Sequence, residues 1–218
     1  MIDLHTHSIF SDGELIPSEL ARRARVAGYE AIAITDHGDH SNFDFIIPRI
    51  ANVCKKLSHI CGIHLIPGIE LTHVPPEYIR ELAEDCRGMG ALIIVVHGET
   101  IVEPVIHGTN LAALQAAIDI LAHPGLITEE EAFLAAENSV FLEISTRRGH
   151  SLANGHVVKM ARQANASLVL NTDSHSPQDI VGRDMSLKIA AGAGMSAAEI
   201  ETMITNSESL LNRVLRTI

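Results

Sequence analysis

Histidine, aspartate and glutamate residues follow directly after short apolar runs at seven places in this sequence. Imidazole nitrogens and carboxylate oxygens are ligands that Zn, Mn and Fe all accept. His5 and His7 stand two residues apart, as do Asp173 and His175. Alternate residues of an extended strand point to the same side, so each pair could bind one ion. The pattern predicts a multi-metal site, whose nine candidate ligands are His5, His7, Asp12, His37, Glu70, His97, His123, Asp173 and His175.

Each candidate ligand has an ordinary structural alternative when it is considered alone. An Asp can cap a helix, a core His can hydrogen-bond a carbonyl group, and a Glu can form a surface ion pair. Their shared position favours the metal site, because unrelated polar residues would be scattered along the apolar runs. Asp12 differs from the others, since it lies in a Ser-Asp-Gly turn that can fold back toward the first run.

The apolar runs themselves have the length and composition of strands that are buried on both faces of a parallel sheet. Segments with helical periodicity lie between them. Thr128 with Glu131 and Ser196 with Glu199 form capping-box pairs that predict helix starts, and only helical signals follow His175. The order predicts an α/β fold of seven βα units, a TIM-like (β/α)7 barrel. The carboxyl ends of barrel strands meet at one mouth, which would bring distant ligands together.

Length, charge and cysteine content fit one compact enzyme domain. The chain has 218 residues, 46% of them hydrophobic, and we expect a single barrel domain over residues 1–218. The net charge of −11 argues against a large basic face for nucleic acid, although it leaves a local positive groove possible. The three cysteines form no C-x-x-C pair and are expected to be reduced thiols. Without a signal segment or a membrane-length run, we expect a cytoplasmic protein and no membrane partner.

Seven short motifs lie at the ends of the apolar runs; six contain candidate ligands and the seventh contains Glu143. They are H-T-H-S-x-x-S-D-G at residues 5–13, T-D-H at 35–37, G-I-E at 68–70, V-H-G at 96–98, A-H-P at 122–124, E-I-S at 143–145 and T-D-S-H at 172–175. As a set, these motifs resemble those of the PHP family, named for polymerase and histidinol phosphatase. The resemblance implies a distorted seven-stranded barrel with a trinuclear metal centre in its mouth. His and carboxylate ligands without thiolate would accept Zn, Mn or Fe as the divalent ions. The resemblance also implies phosphoester hydrolysis as the commonest activity.

The resemblance further implies how the ions share the ligands. One ion would be held by His5, His7, Glu70 and Asp173, a second by Glu70, His97 and His123, and the third by Asp12, His37 and His175. A metal-bound hydroxide would then attack the phosphate ester, and fixed positive charge would stabilise the transition state. No ligand of the family pattern is missing, which favours an enzyme over a purely structural relative.

Three other residues are candidates for roles around the metals. Arg147 and Arg148 follow the sixth apolar run, where at least one guanidinium could bind a phosphate; the alternative is a solvated loop pair. Glu143 could orient a His ligand or recognise a substrate amine or hydroxyl group. Candidates for substrate contact by position alone are His40, His73 and His107, whereas helices or loops are expected to contain His59, His64, His150 and His156.

Two functions from different classes are compatible with these features. The first is metal-dependent hydrolysis of a small phosphorylated metabolite, such as histidinol phosphate or a nucleotide, with phosphate as a product. The second is a nucleic-acid-associated PHP module, an exonuclease or a ribonucleoprotein or polymerase partner with a binding role. The acidic charge and the complete ligand set favour the first function.

Overall fold

The computed structural model describes residues 1–217, and its centre is a nearly closed barrel of parallel strands. The strands are β1 (Ile2–Thr6), β2 (Ala31–Ile34), β3 (His37–Gly38), β4 (His64–Leu71), β5 (Ile93–His97), β6 (Ile120–Ala122), β7 (Phe141–Ser145) and β8 (Leu168–Asn171). Seven of them form the wall in the order β1, β2, β4, β5, β6, β7 and β8, and the two-residue β3 pairs with β4. The predicted (β/α)7 barrel is confirmed.

The gap between the first and last strands is closed by backbone hydrogen bonds at the mouth. The amide of Asp173 donates to the carbonyl oxygen of His5 at 3.0 Å, and the amide of His7 donates to that of Ser174 at 2.9 Å. These bonds join the segment after β8 to the end of β1. As a result, ligands from the two ends of the sequence lie side by side.

Within residues 1–217, eight α-helices pack against the barrel. They are α1 (Pro17–Val26), α2 (Phe43–Cys61), α3 (Pro76–Gly88), α4 (Thr109–Leu114), α5 (Glu129–Glu137), α6 (Asn154–Ala164), α7 (Arg183–Gly192) and α8 (Ala197–Leu215). The capping boxes predicted at Thr128 and Ser196 are both formed, and they begin α5 and α8. A large apolar cluster fills the space between the strands and the helices. None of the helices within residues 1–217 is long and apolar enough to cross a bilayer.

The interior of the barrel contains a second, smaller apolar cluster that helix α8 completes. Strand residues supply most of it, and Leu210, Leu211 and Val214 of α8 pack into the same cluster. Ile2, Leu92 and Phe141, which lie at or near the amino ends of their strands, pack against its edge. Helix α8 therefore covers the amino-terminal end of the barrel, so that its carboxyl-terminal end is left as the mouth.

Candidate metal centre

Along the inner faces of the strands, apolar side chains give way to polar donors toward the mouth. On β5, Ile93 and Val95 belong to the interior apolar cluster, and His97 follows two residues later. On β4, Ile66 belongs to the same cluster, and Glu70 follows four residues later. Because alternate side chains of a strand point to the same face, the face that packs in the barrel core also carries the donor at the carboxyl end of the strand.

Three ligand positions depend on breaks in this regular geometry. The register between β1 and β2 shifts between Asp3 and Thr6. This irregularity changes the face of the strand to which the residues after Leu4, among them His5, direct their side chains. His123 and Asp173 have positive φ angles of 27° and 51°. Such conformations are uncommon for residues other than glycine and are concentrated at functional sites. They orient side chains that regular alternation would place elsewhere.

The structure brings all nine predicted donors together at the mouth. Most of them are buried, whereas the side chain of Asp12 is 57% exposed and that of His37 is 24% exposed. Four sets of donor atoms that lie within 4.8 Å of one another include every one of the nine. These sets are His7, Asp12, His37 and His175; His5, His123 and Asp173; His5, His7 and Glu70; and His37, Glu70 and His97.

The donor atoms at the carboxyl ends of β1 and β8 have separations suited to a shared ion. Nε2 of His5 lies 3.1 Å from Nε2 of His7. Nε2 of His7 in turn lies 3.1 Å from Oδ1 of Asp173. Two ligands that are each about 2.1 Å from one ion lie about 3.0–3.4 Å apart at ordinary coordination angles. These side chains could therefore coordinate one ion together.

Glu70 is the central carboxylate of the cluster and is fully buried. Five imidazoles have a nitrogen within 3.6 Å of its two oxygens, those of His5, His7, His37, His97 and His123. Burial raises the pKa of Glu70, but the neighbouring histidines outweigh burial and hold that pKa well below its ordinary value. Glu70 is thus an ionised carboxylate at the centre of the cluster, in a position where it could bind a cation.

A third group of donors lies at the more open side of the mouth. Nε2 of His175 is 3.1 Å from Oδ1 of Asp12, and Nε2 of His37 is 3.5 Å from the same oxygen. The two imidazole nitrogens are themselves 3.4 Å apart. This triangle is joined to the groups around Glu70 through His37 and His7, which both lie close to Glu70.

Unsatisfied buried atoms test whether these residues fit metal ions. Among the described residues, both carboxylate oxygens of Glu70 and both ring nitrogens of His97 are buried without a well-aligned hydrogen bond, although other imidazole and carboxylate atoms lie close to them. Buried polar groups are normally paired, and an unpaired buried charge is costly. Cations bound between these atoms would remove that cost. The donor set, which consists only of nitrogen and oxygen atoms, fits divalent metals.

A family model described as the PHP domain matches residues 3–147. The chain belongs to the PHP domain family. The matched region contains seven of the nine donors and ends just after β7, and the remaining PHP donors, Asp173 and His175, follow β8.

Three relatives align with this PHP protein over nearly its whole length. An uncharacterized protein of Methanocaldococcus jannaschii is 46% identical, over 97% of this chain and 99% of that protein. A probable phosphatase of a Thermoanaerobacter species is 25% identical, over 95% and 91% of the two chains. Ribonuclease P protein component 3 of Methanosarcina barkeri is 27% identical, over 97% and 88%.

Solved structures show the same PHP fold at low sequence identity. A chain of an archaeal ribonuclease P solved with mature tRNA has a TM-score of 0.69 and 18% identity, covering 96% of this chain and 91% of that one. Histidinol phosphate phosphatase of Lactococcus lactis, solved with Zn, L-histidinol and phosphate, has a TM-score of 0.62 and 17% identity, covering 89% and 94%.

Glu143 lies behind His5, one of the candidate ligands. Its Oε2 is 2.7 Å from Nδ1 of His5, and the side-chain amide of Asn171 donates to the same oxygen at 3.1 Å. Burial lowers the pKa of His5, but the carboxylates of Glu143, Glu70 and Asp173 outweigh it and hold the pKa well above its ordinary value. The position of Glu143 suits the orientation of His5, one of the two roles considered for it.

Asp36 holds the conformation of the loop that carries Asp12, the exposed candidate donor. Its carboxylate accepts hydrogen bonds from the amides and the hydroxyls of both Ser8 and Ser11, at 2.7–3.1 Å. Gly13 completes the turn, because a Cβ there would lie 2.6 Å from the carbonyl oxygen of His7. In the sequence, Asp36 stood out only as part of the T-D-H motif at residues 35–37, and its role in the loop was missed.

Asp3 supports the opposite edge of the PHP centre. Its carboxylate accepts from the amide of Thr172 at 3.1 Å and from the hydroxyl of Thr172 at 2.5 Å. Burial raises the pKa of Asp3 to about 7 in spite of these bonds. Because Thr172 precedes Asp173, this contact fixes the backbone that carries the side chain of Asp173. The sequence prediction did not include Asp3.

The two candidate arginines occupy different environments. Nη1 of Arg147 lies 3.2 Å from the carbonyl oxygen and 3.4 Å from Oδ1 of Asp173, and it contacts the ring of His175. Arg148 is exposed, and it forms no ion pair or side-chain hydrogen bond with another residue in the range 1–217. Of the pair, only Arg147 is placed next to the PHP centre.

Two residues beside the PHP centre were not predicted to be part of it. His150, which was assigned to a helix or loop, begins a short 3₁₀ helix but is buried with its ring stacked on His123 at a centroid distance of 4.0 Å. Glu103, in the loop after β5, has Oε2 3.0 Å from Nε2 of His97. Neither follows a strand directly, so the spacing of motifs could not identify them.

The remaining histidines are not among the nine candidate donors, and they lie in different surroundings. The ring of His73 is 5.5 Å from that of His97, that of His40 is 5.5 Å from that of Tyr78, and the exposed His107 is 3.1 Å from Glu99. As expected, His59 and His156 lie in helices, but His64 is the first residue of β4 and not part of a helix or loop.

Proposed function

We propose that this PHP protein is a metal-dependent phosphoric ester hydrolase that acts on a small phosphorylated metabolite, such as histidinol phosphate or a nucleotide. The observation that carries the proposal is the convergence of nine nitrogen and oxygen donors around the buried Glu70. Relatives named as probable phosphatases support the same class of reaction. Residues 1–218 would act as one barrel domain, since α8 contributes to the barrel interior.

We infer that these donors would hold three divalent ions, Zn, Mn or Fe. His5, His7, Glu70 and Asp173 would hold one ion, Glu70, His97 and His123 the second, and Asp12, His37 and His175 the third. When bound, such ions supply Lewis acidity and lower the pKa of coordinated water. Both contributions are what hydrolysis of a phosphate ester at neutral pH requires.

The other residues of the site would position these ligands and the phosphate. Glu143 would hold the ring of His5 in one tautomer by accepting a hydrogen bond from Nδ1, which leaves Nε2 free as a donor to the ion. Arg147 would bind a phosphate oxygen, because its guanidinium already lies at the edge of the site beside Asp173. Arg148 has no such placement, so we restrict the phosphate-contact role to Arg147.

The experiment is an assay of metal-loaded protein against a panel of phosphomonoesters and nucleotides, with release of inorganic phosphate as the readout. His123→Ala removes a donor, and His64→Ala removes an exposed histidine at the start of β4 as a matched control. We expect hydrolysis of at least one ester by the wild type and by His64→Ala, and background release by His123→Ala. Equal hydrolysis by His123→Ala, or none by any protein across the panel, would overturn the proposal.

A second candidate function is nucleic-acid association, because a ribonuclease P protein component is 27% identical over 97% of this chain. The net charge of −11 opposes it, since backbone phosphates attract positive surfaces. A filter-binding assay with tRNA at physiological salt separates the two functions. Tight binding that persists in His123→Ala, together with no ester hydrolysis, would favour the association role.

A further inference from the structure

His150 is held rigidly beside the metal centre although it belongs to none of the donor groups. Its Nδ1 lies 2.8 Å from the hydroxyl of Thr100, and its ring stacks on that of His123 with an interplanar angle of 16°. The side chain is 4% exposed. Gly149, with a φ of +97°, makes the turn that brings His150 inward. Two independent contacts therefore fix the direction of the remaining ring nitrogen.

That remaining nitrogen, Nε2, points toward the carboxylates of Glu103 and Asp173 at the barrel mouth. Its nearest carboxylate oxygens are Oε1 of Glu103 at 3.5 Å and Oδ2 of Asp173 at 3.7 Å. No group within residues 1–217 makes a hydrogen bond to it. Since both neighbours are acceptors, the tautomer with hydrogen on Nε2 is favoured, and Nδ1 accepts from the hydroxyl of Thr100. His150 thus presents a fixed and unused N–H donor.

The donor lies opposite Arg147 across the carboxylate of Asp173. Nη1 of Arg147 is 3.4 Å from Oδ1 of Asp173, whereas Nε2 of His150 is 3.7 Å from Oδ2 of the same residue. Both residues come from the segment directly after β7. A phosphate bound above Asp173 would have the guanidinium on one side and the imidazole N–H on the other.

We propose that His150 is a phosphate-contacting residue, which donates a hydrogen bond from Nε2 to an oxygen of the substrate phosphate opposite Arg147. Thr100 is then a positioning residue that fixes the tautomer and the ring. The inference rests on the proposed phosphoester hydrolysis. A donor whose direction is set before binding stabilises developing negative charge without reorganisation.

The test is the binding of inorganic phosphate to the metal-loaded protein, measured by calorimetry, with metal content measured by elemental analysis. His150→Asn can keep the contact with Thr100 but has no group at the Nε2 position, whereas His150→Gln places an amide N–H near that position. We expect about a 10-fold or larger loss of phosphate affinity in His150→Asn, partial recovery in His150→Gln, and wild-type metal content in both. His156→Asn is the control, because the side chain of His156 hydrogen-bonds the carbonyl oxygen of Ile127, away from the cluster of donors.

Phosphate affinity of His150→Asn equal to that of the wild type would overturn the inference, and so would loss of a metal equivalent, which would make His150 a ligand. If His150→Asn does not fold, Thr100→Val decides instead: weaker phosphate binding at unchanged metal content supports the inference, and unchanged binding overturns it. Ester hydrolysis by the wild type with unchanged phosphate affinity in His150→Asn would refute this inference alone. A wild type that neither binds phosphate nor hydrolyses esters would refute the proposed function as well.

Discussion

Oε2 of Glu143 lies 2.7 Å from Nδ1 of His5, while Nε2 of the same ring faces Oε1 of Glu70 at 3.3 Å. The imidazole is therefore held between a carboxylate behind it and a carboxylate in the metal centre. In metal sites, such an outer carboxylate fixes the ring orientation and increases the basicity of the ligating nitrogen.

Replacement of Glu143 by Gln should weaken metal binding without loss of the fold. The amide keeps the shape of the side chain but accepts a weaker hydrogen bond from His5, so we expect about a 10- to 100-fold loss in affinity. Titration against a competing chelator measures the effect. Glu137→Gln, at an exposed position of α5, is the control. Wild-type affinity in Glu143→Gln would show that the contact with His5 does not tune the metal.

Glu70→Gln and Asp12→Asn should differ in the number of ions that they lose. Glu70 approaches five histidines, whereas Asp12 lies within 3.5 Å of His37 and His175 at the open side. We expect elemental analysis of purified protein to show that Glu70→Gln disturbs two ion positions and Asp12→Asn mainly one. Full metal content and full activity in Glu70→Gln would refute the bridging role.

Metal binding should release protons, and metal affinity should increase with pH. Burial lowers the pKa of His97, but the carboxylates of Glu103 and Glu70 outweigh it and raise that pKa to about 10 in the metal-free protein. His5 and His37 are shifted in the same direction. These rings must lose a proton before they bind an ion. Calorimetric titration with Zn²⁺ in buffers of different ionisation enthalpy counts the protons, and a count of zero near neutral pH would contradict the prediction.

The same shift predicts the stability of the metal-free protein against pH. Because the folded-state pKa of His97 is above its unfolded value of 6.5, its contribution is complete below about pH 6.5 and is lost as the pH rises through about 10. Thermal melts in the presence of a chelator should show this loss in the wild type and a smaller one in His97→Gln. Identical alkaline profiles for the two proteins would contradict the assignment to His97.

Asp36→Asn should destabilise the fold and also empty the open side of the centre. The new amide N–H would face the Ser8 and Ser11 donors, so we expect a loss of about 2–3 kcal/mol in the free energy of unfolding. The displaced loop should also lower metal content by about one equivalent through Asp12. Urea unfolding and elemental analysis measure the two effects, with Asp85→Asn on α3 as an exposed control. A stable Asp36→Asn variant with full metal content would show that the loop does not depend on Asp36.

The barrel and the nine donors were accessible from the sequence for a specific physical reason. Strands such as β4 and β5 are continuous apolar runs, and Glu70 and His97 lie near or at their carboxyl ends, where the barrel forms its mouth. The two-residue strand β3 was not predicted, because a pair of residues carries no periodicity. The position of α8 over the amino end was also not predicted, since a helical period fixes a face but not the surface that it covers.

The supporting residues could not be predicted, because their roles arise from contacts between distant segments. His150 turns inward through Gly149 and is held by Thr100, fifty residues earlier. Asp3 accepts a hydrogen bond from Thr172, 169 residues later in the sequence. Burial raises the pKa of Asp3, and no local motif indicates that burial. Loops such as the one that carries Glu103 have no sequence period from which a side-chain direction follows.

Anomalous diffraction from crystals of the protein, recorded at the Zn, Mn and Fe absorption edges, tests the metal centre most directly. We predict three peaks at the barrel mouth, one within coordination distance of His5, His7 and Asp173, one beside His97 and His123, and one beside Asp12, His37 and His175, with Glu70 between the first two. Anomalous maps without a peak in the mouth, from crystals supplied with these divalent ions at neutral pH, would contradict the account.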